Sequence, residues 1–419
     1  MSINNLSEDV LIAEEVVVGG NTVNVKNPPP PLRFSEELGL LTDARVTGRL
    51  VHQTAAPDVP LFETRATLTP GGDYLLMFPD GGHYGRADAK LNEMLAYRSR
   101  DKGGTWEGPS HPFDIDYNQH GFIPFIPRGS DRLYAFGTQP IWGKYSREDG
   151  LAENTPIGYR FSDDDGVTWS DVTLIEPVND PGFLGMSVMR MCETESGAWL
   201  LGSHEADWSR KPLITRQYVL RSEDRGRSWE VLPGRRHDGW QCPGFNRMDE
   251  GRPIELGGRR VLLMTRTPEG HLWALRSEDD GKTWSDPDPT PLIHPDAPPM
   301  LFKLSDGHTL AAFHHNRHHD LNYTGLSSAK PELMMDRSEI WVSLSEDEGA
   351  SWTEPRFVFV NALAEYFDTP FRNYQCSYID GFPDEGVMNL FVPHRWRRVL
   401  HLRIAEKDLR QLATADELR

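Results

Sequence analysis

The segment Ser277-Glu-Asp-Asp-Gly-Lys-Thr-Trp284 is one of five that share a pattern. The others run from Ser99 to Trp106, Ser162 to Trp169, Ser222 to Trp229 and Ser345 to Trp352, and each reads Ser-x-Asp-x-Gly-x-Thr/Ser-Trp. In such a turn the Asp carboxylate can accept hydrogen bonds from the turn's own amides, the Gly permits a positive φ, and the Trp can pin the hairpin to a sheet. These are structural tasks, not catalytic ones. Their recurrence at intervals of roughly 55 to 70 residues is the period of a propeller or a solenoid.

Outward from these turns, a second repeat supplies the blade count. A Gly-containing turn followed by an apolar strand occurs six times: Gly71 to Phe78, Gly129 to Phe136, Gly197 to Ser203, Gly257 to Arg266, Gly307 to His315 and Gly386 to His394. Six equivalent hairpins predict an all-β fold, a six-bladed β-propeller of four-stranded antiparallel blades. The polar and aromatic residues that end those strands then share one mouth: Asp80 and His83, Trp142, His204 and Glu205, Arg266, His314 and His315, and His394. The sixth unit has no Trp-bearing turn and is one strand short. Leu11 to Val18, with Val16-Val-Val, is expected to complete it, which ties the termini together and removes a sheet edge. One domain is expected across 1–419, with 1–32 as closing strand and linker, the prolines at 28–31 stiffening that linker, and 406–419 as a terminal helix or tail.

Composition agrees with a turn-rich β protein. The 419 residues include 37 Gly and 32 Pro, while 12 Trp and an aromatic share of 10% suffice for a sizeable core. A net charge of -19 opposes binding to nucleic acid or to an anionic membrane, so an anionic ligand has to be held by locally placed arginines. Three cysteines, Cys192, Cys242 and Cys376, have neither disulfide-framework nor zinc-site spacing, and no cofactor or metal is expected. The N-terminal residues lack a basic start and a long apolar core, and no run of about 18 apolar residues is present, so a cytoplasmic protein is expected.

One hairpin differs from the other five. In Asp249-Glu-Gly-Arg-Pro-Ile-Glu-Leu-Gly-Gly-Arg-Arg-Val-Leu-Leu-Met-Thr-Arg266, Glu250 enters an apolar strand and Arg266 ends the next, so an acid and a cation can stand side by side.

The five turns resemble the Asp boxes of the sialidase (neuraminidase) superfamily, and the resemblance spans nearly the whole chain. Glu250 and Arg266 match a sialidase segment in which a Glu begins one strand and an Arg ends the next. The resemblance implies that Glu250 is the base toward a Tyr nucleophile and that Arg266 belongs to a triad gripping a substrate carboxylate. A phenol of pKa near 10 needs such a base before it attacks. Arg337, at the head of an alternating strand that runs into an Asp box, matches a second triad member, and forked guanidinium groups suit carboxylates. Arg65 stands where the third is sought but lies closer to the Thr69-Pro-Gly-Gly turn than the family pattern. Such a shift moves a side chain to the other face unless a bulge intervenes, and Glu63 shares the face of Arg65.

By the same resemblance Asp88 is the acid/base, with Asp80 as competitor, and Tyr374 is the nucleophile, with Tyr378 as the alternative. His83, His120, His204, Trp240, His314 and His394 are pocket-rim candidates, within a chain whose densest histidine run is Phe313 to Asp320. The implied activity is that of a retaining exo-glycosidase acting on a terminal sialic acid or a related 2-keto acid sugar (Kdn or Kdo), with a carboxylate-bearing carbohydrate as partner. Two rivals remain open: a lyase that takes a uronate C5 proton with His or Tyr, and a noncatalytic glycan-binding propeller.

Overall fold

A computed structural model describes residues 11–54, 63–79, 92–115, 122–138, 154–207, 209–210, 212–234, 238–318, 337–364 and 375–419. Six antiparallel sheets follow one another in chain order as the blades of a six-bladed β-propeller. Blade one runs from Arg65–Leu68 through Tyr74–Pro79 and Asn92–Ser99 to Glu107–Ser110, with Asp114–Ile115 added beside the third strand. Blades two, three and four begin at Ile123–Phe125, Ser187–Glu193 and Asp249–Gly257, and blade five begins at Met300–Lys303. The first strands of successive blades are neighbours all the way round, including Asp380–Asp384 of blade six against Arg65–Leu68 of blade one. They therefore surround a common axis, and whatever precedes them in sequence opens onto one face.

All six predicted hairpins form. Each Asp-box turn works as its residue types suggest, with one addition from its Ser. In blade four Asp279 Oδ1 accepts from Thr283 N (2.8 Å) and Ser277 Oγ (2.9 Å), while Ser277 Oγ accepts in turn from Gly281 N (2.9 Å). The residue before the Gly also takes a left-handed backbone, φ +62° at Asp280. Trp284 Nε1 donates to the Gly281 carbonyl at 2.9 Å, and its ring packs between blades three and four.

The closing strand is a correction. Blade six consists of Asp380–Asp384, Val387–His394 and Arg398–Ala405, and its fourth strand is Thr47–Gln53 rather than Leu11–Val18. The physical reason is local. Gly19-Gly20 reverses the chain straight after Val18, so Glu15–Val18 finds its partner at once in Asn21–Asn24. That small hairpin covers Trp341 and Phe357 on the side of blade five, and Leu32–Ser35 and Leu40–Asp43 extend blade five to six strands. Thr47–Gln53 can pair closely with Arg398–Ala405 because Gly48 leaves room: a Cβ there would lie 2.5 Å from the His401 carbonyl. Residues 406–411 and 416–418 form two short 3-10 turns, tighter than the helix expected for the tail. Among the described residues no helix is long and apolar enough to cross a membrane.

Candidate active site

The backbone builds the mouth by a repeated device. Three non-glycine residues at the entries to first strands have a left-handed backbone: Glu63 (φ +53°) in blade one, Glu250 (φ +51°) in blade four and Tyr378 (φ +63°) in blade six. Such conformations cost about 1–3 kcal/mol each and persist only where the surroundings hold them. In blade four the cause is visible. Asp249 pairs with Arg266 but Arg252 with Met264, so the two residues Glu250 and Gly251 oppose Thr265 alone in a β-bulge. The bulge breaks the strand's alternation and brings the Glu250 carboxylate to Arg266. Two glycines make it possible: a Cβ on Gly202 would lie 1.9 Å from the Gly251 carbonyl, and one on Gly251 would meet the Gln217 side chain at 2.7 Å. Gln217 and His204 complete the support, accepting from Gly251 N (2.8 Å) and Glu250 N (3.4 Å).

Around this bulge three side chains form a closed set. Tyr378 Oη donates to Glu250 Oε1 at 2.8 Å, Arg266 Nη1 donates to Glu250 Oε2 at 2.8 Å, and the same nitrogen reaches Tyr378 Oη at 3.3 Å. All three residues are no more than 5% exposed. Burial, and then the charge of Glu250, hold the Tyr378 phenol well above its usual range, with Arg266 and Arg337 opposing the shift. Burial alone would lower the pKa of Arg266, but Asp296 and Glu250 outweigh it and keep the guanidinium charged.

Asp296, which leads from blade four into blade five, organises the arginines. Its carboxylate accepts from Arg266 Nε (2.6 Å) and Arg247 Nη1 (3.2 Å), and its carbonyl accepts from Arg337 Nη2. Burial would raise its pKa, yet Arg247 and Arg266 drive it well below the usual carboxylate range. Arg337 also donates to Gln375 Oε1 at 3.1 Å; burial first, and then repulsion from Arg266, bring its pKa down to about 10. Arg266 and Arg337 are thus held side by side through one residue, and Arg266 Nη2 stays outside these contacts. Nothing in the sequence pattern singled out Asp296 or Arg247. The arginines that bond the Asp296 carboxylate lie 30 and 49 residues from it in the chain, and Arg247 is held as well by Asp249 at 2.8 Å.

The remaining predicted residues fall into two groups. Tyr374, Asp88, Asp80, His83 and His120 lie outside the described residues. Arg65 is described and is 2% exposed. It binds Glu63 Oε2 (3.1 Å) through Nη2 and the Thr64 carbonyl (3.1 Å) through Nη1. The positive φ of Glu63 ends the strand alternation there, and the residue sharing its face captures it. His314 does not stand at a rim. It is fully buried, with Nδ1 at the Ile293 carbonyl and Nε2 at Ser343 Oγ, and burial lowers its pKa to about 4. His315 is likewise buried, at the Glu339 carbonyl and at Ser377 Oγ (2.8 Å), where it fixes the residue next to Tyr378. His394 is fully buried against Asn361 Oδ1. Trp240 packs edge-on against Trp284, and its ring has no described contact with Tyr378, Glu250 or Arg266. Among the described residues no cluster of three or more His, Cys, Asp or Glu is placed to hold a metal.

Six blades and five Asp-box turns place the chain in the sialidase-like class of β-propeller. The BNR repeat-like domain model matches residues 123–380, more than half of the chain, and the chain belongs to that family. No curated protein sequence matches it. Among solved structures it is similar to the Hadza microbial sialidase Hz136, with 16% identity and a TM-score of 0.61 over 94% of this chain and 72% of that one. It is similar also to the NanB sialidase of Streptococcus pneumoniae, with 11% identity and a TM-score of 0.59 over 87% and 71%. The alpha-L-arabinanase of Penicillium chrysogenum, complexed with arabinobiose, aligns with 12% identity and a TM-score of 0.56 over 88% and 99%. The shared feature is the fold, a propeller of the kind used by glycoside hydrolases.

Proposed function

We propose that this chain is a retaining exo-glycosidase that removes a terminal carboxylate-bearing sugar, a sialic acid or a related 2-keto acid such as Kdn or Kdo. The observation that carries the reading is the hydrogen-bonded set of Tyr378, Glu250 and Arg266 in a buried mouth. Tyr378 is the nucleophile of this reading in place of Tyr374. A phenol buried beside a carboxylate is not ionised at rest, so it must lose its proton as it attacks, and Glu250 is bonded to that proton. In the first step Tyr378 Oη bonds to the anomeric carbon, its proton passes to Glu250, and the bond to the leaving oxygen breaks. Asp88, or Asp80 in its place, gives that oxygen its proton. Water then attacks the same carbon, the carboxylate that gave the proton takes one from the water, and Glu250 returns its own to the departing Tyr378.

Arg266 and Arg337 receive the substrate carboxylate. Arg266 has Nη2 outside its present contacts, and both cations are pre-oriented through Asp296, which lowers the entropy lost on binding. A two-arginine grip, with Arg65 held by Glu63, favours 2-keto acid sugars over a requirement for one particular sialic acid. The test is turnover of a panel of 4-methylumbelliferyl glycosides of N-acetylneuraminate, Kdn and Kdo by wild type, Tyr378→Phe, Glu250→Gln and Tyr374→Phe. Loss of about 10³-fold or more in kcat for the first two variants, with Tyr374→Phe near wild type, supports the assignment. Full turnover by Tyr378→Phe would overturn it.

A further inference from the structure

Below the mouth, first strands from four blades meet at Asp380. Its Oδ1 accepts from Arg190 Nη1 of blade three at 2.9 Å and its Oδ2 from the Ala66 amide of blade one at 3.1 Å. Arg252 of blade four donates from Nη1 to the carbonyl of the adjacent Ile379 at 3.3 Å. Arg65, the residue before Ala66, acts on the Asp380 carboxylate together with Arg190 and Arg252, and brings its partner Glu63 to the group. Three guanidinium groups, Arg65, Arg190 and Arg252, thus share two carboxyls, Glu63 and Asp380. Glu250 does not make up the difference, because Arg266 already holds it.

The shortfall shows in the hydrogen bonds. Arg252 is 1% exposed, and among the described residues neither its Nε nor its Nη2 finds an acceptor; the same is true of Arg65 Nε, in a residue 2% exposed. Three buried guanidinium nitrogens without an acceptor among the described residues are a costly arrangement, since burying a charged donor unpaired costs several kcal/mol or more. Burial, and then the charge of Arg65, depress the pKa of Arg252 to about 9, in keeping with a cation short of counter-charge. Farther along the same strands a cavity of about 260 Å³ is lined by Arg190, Glu193, Pro253, Glu255, Lys303 and Phe382.

We propose that this cluster is a binding site for one small monovalent anion of chloride type, held on the propeller axis by Arg65, Arg190 and Arg252. Such an ion supplies the missing charge and ties blades one, three, four and six together beneath the catalytic set. Its bond energy goes to the folded state alone, because the four blades meet only there.

The experiment compares thermal unfolding of the whole protein in sodium chloride, bromide, nitrate and gluconate at constant ionic strength. The small anions should raise Tm saturably by roughly 2 °C, and gluconate, too large for the axis, should not. Arg252→Met removes one cation and two acceptor-less N–H groups, so it should abolish the anion response; Arg190→Gln, at a half-buried position, serves if the first variant does not fold. Bromide located by anomalous scattering at Asp380 in a crystal would place the ion. Equal Tm in chloride and gluconate for the wild type overturns the proposal. So does a full chloride response in both variants, which would put the anion at Arg266 and Arg337 instead.

Discussion

Asp279 and Asp296 lie 17 residues apart, and both are carboxylates that hold a turn or junction in place. Asp279 finds every partner within four residues, and its neighbours' hydroxyl and amide groups hold its pKa below the usual range in spite of partial burial. Asp296 is fully buried and finds its partners in two arginines from another part of blade four, while its carbonyl serves a third from blade five. The first is a motif that any copy of the turn can carry; the second exists only once the ring has closed. The difference predicts very unequal costs. Asp296→Asn takes from the buried Arg247 and Arg266 one of the two carboxylates that each holds, the others being Asp249 and Glu250, and should destabilise by about 3 kcal/mol in urea unfolding. Asp279→Asn, which loses hydrogen bonds at a half-exposed turn, should cost about 1 kcal/mol. Comparable losses for the two would mean that the arginine network is not what holds the mouth.

Ring closure itself offers a second contrast, between the strand that closes blade six and the hairpin that was expected to. Gly48→Val puts a branched side chain where a Cβ already meets the His401 carbonyl at 2.5 Å, and should cost roughly 2–3 kcal/mol through strain at the seam. Val17→Ala, on the exposed face of the Glu15–Val18 hairpin, should change stability by less than about 0.5 kcal/mol. If the two effects were reversed, the N-terminal hairpin and not Thr47–Gln53 would be the seam.

What was legible in the sequence follows the same division. The Asp boxes and the six glycine turns were readable because each is satisfied by its own residues, and their count gave the blades. Glu250 and Arg266 were readable because one hairpin carries both, although the bulge that brings them together depends on Gly202 and Gln217 from the neighbouring blade. Tyr378 could not be separated from Tyr374 by spacing, since only its contact with Glu250, 128 residues away, distinguishes it. The capture of Arg65 by Glu63 was foreshadowed by their shared face. Asp296 and Arg252 had no local signature at all, because a buried charge is meaningful only beside its partner. The closing strand follows the same division: Val16-Val-Val reads as a strand in need of a sheet, whereas Gly19-Gly20 supplies its partner immediately afterwards.

Acid titration separates the two regions with the gentlest perturbation. His314 and His315 are buried and neutral, with pKa values lowered to about 4 and about 3 by burial. An unfolded histidine titrates near 6.5. As pH falls below that value the unfolded chain takes up protons that the folded chain refuses, so stability is complete above about pH 6.5 and drains away toward pH 4, at about 1.4 kcal/mol per pH unit for each ring. The Asp-box carboxylates act lower. Asp164 and Asp347 titrate at about 2 in the folded protein, chiefly through the neighbouring Thr168 and Ser351 hydroxyls and amides, so their contribution is present above pH 4 and is lost only as pH falls toward 2. Urea midpoints measured from pH 7 to pH 3 should therefore decline well before any Asp box is protonated. His314→Gln, which can keep a bond to Ser343, should make the decline between pH 6.5 and 4 shallower by one ring's share, since burial also lowers His294, His315, His394 and His401, whereas Asp347→Asn should leave that window unchanged and alter only the region below pH 4. A decline confined to pH below 4 in the wild type would mean that the buried histidines, His314 and His315 among them, are charged in the folded protein, and that their surroundings are wetter than the bonds of His314 and His315 imply.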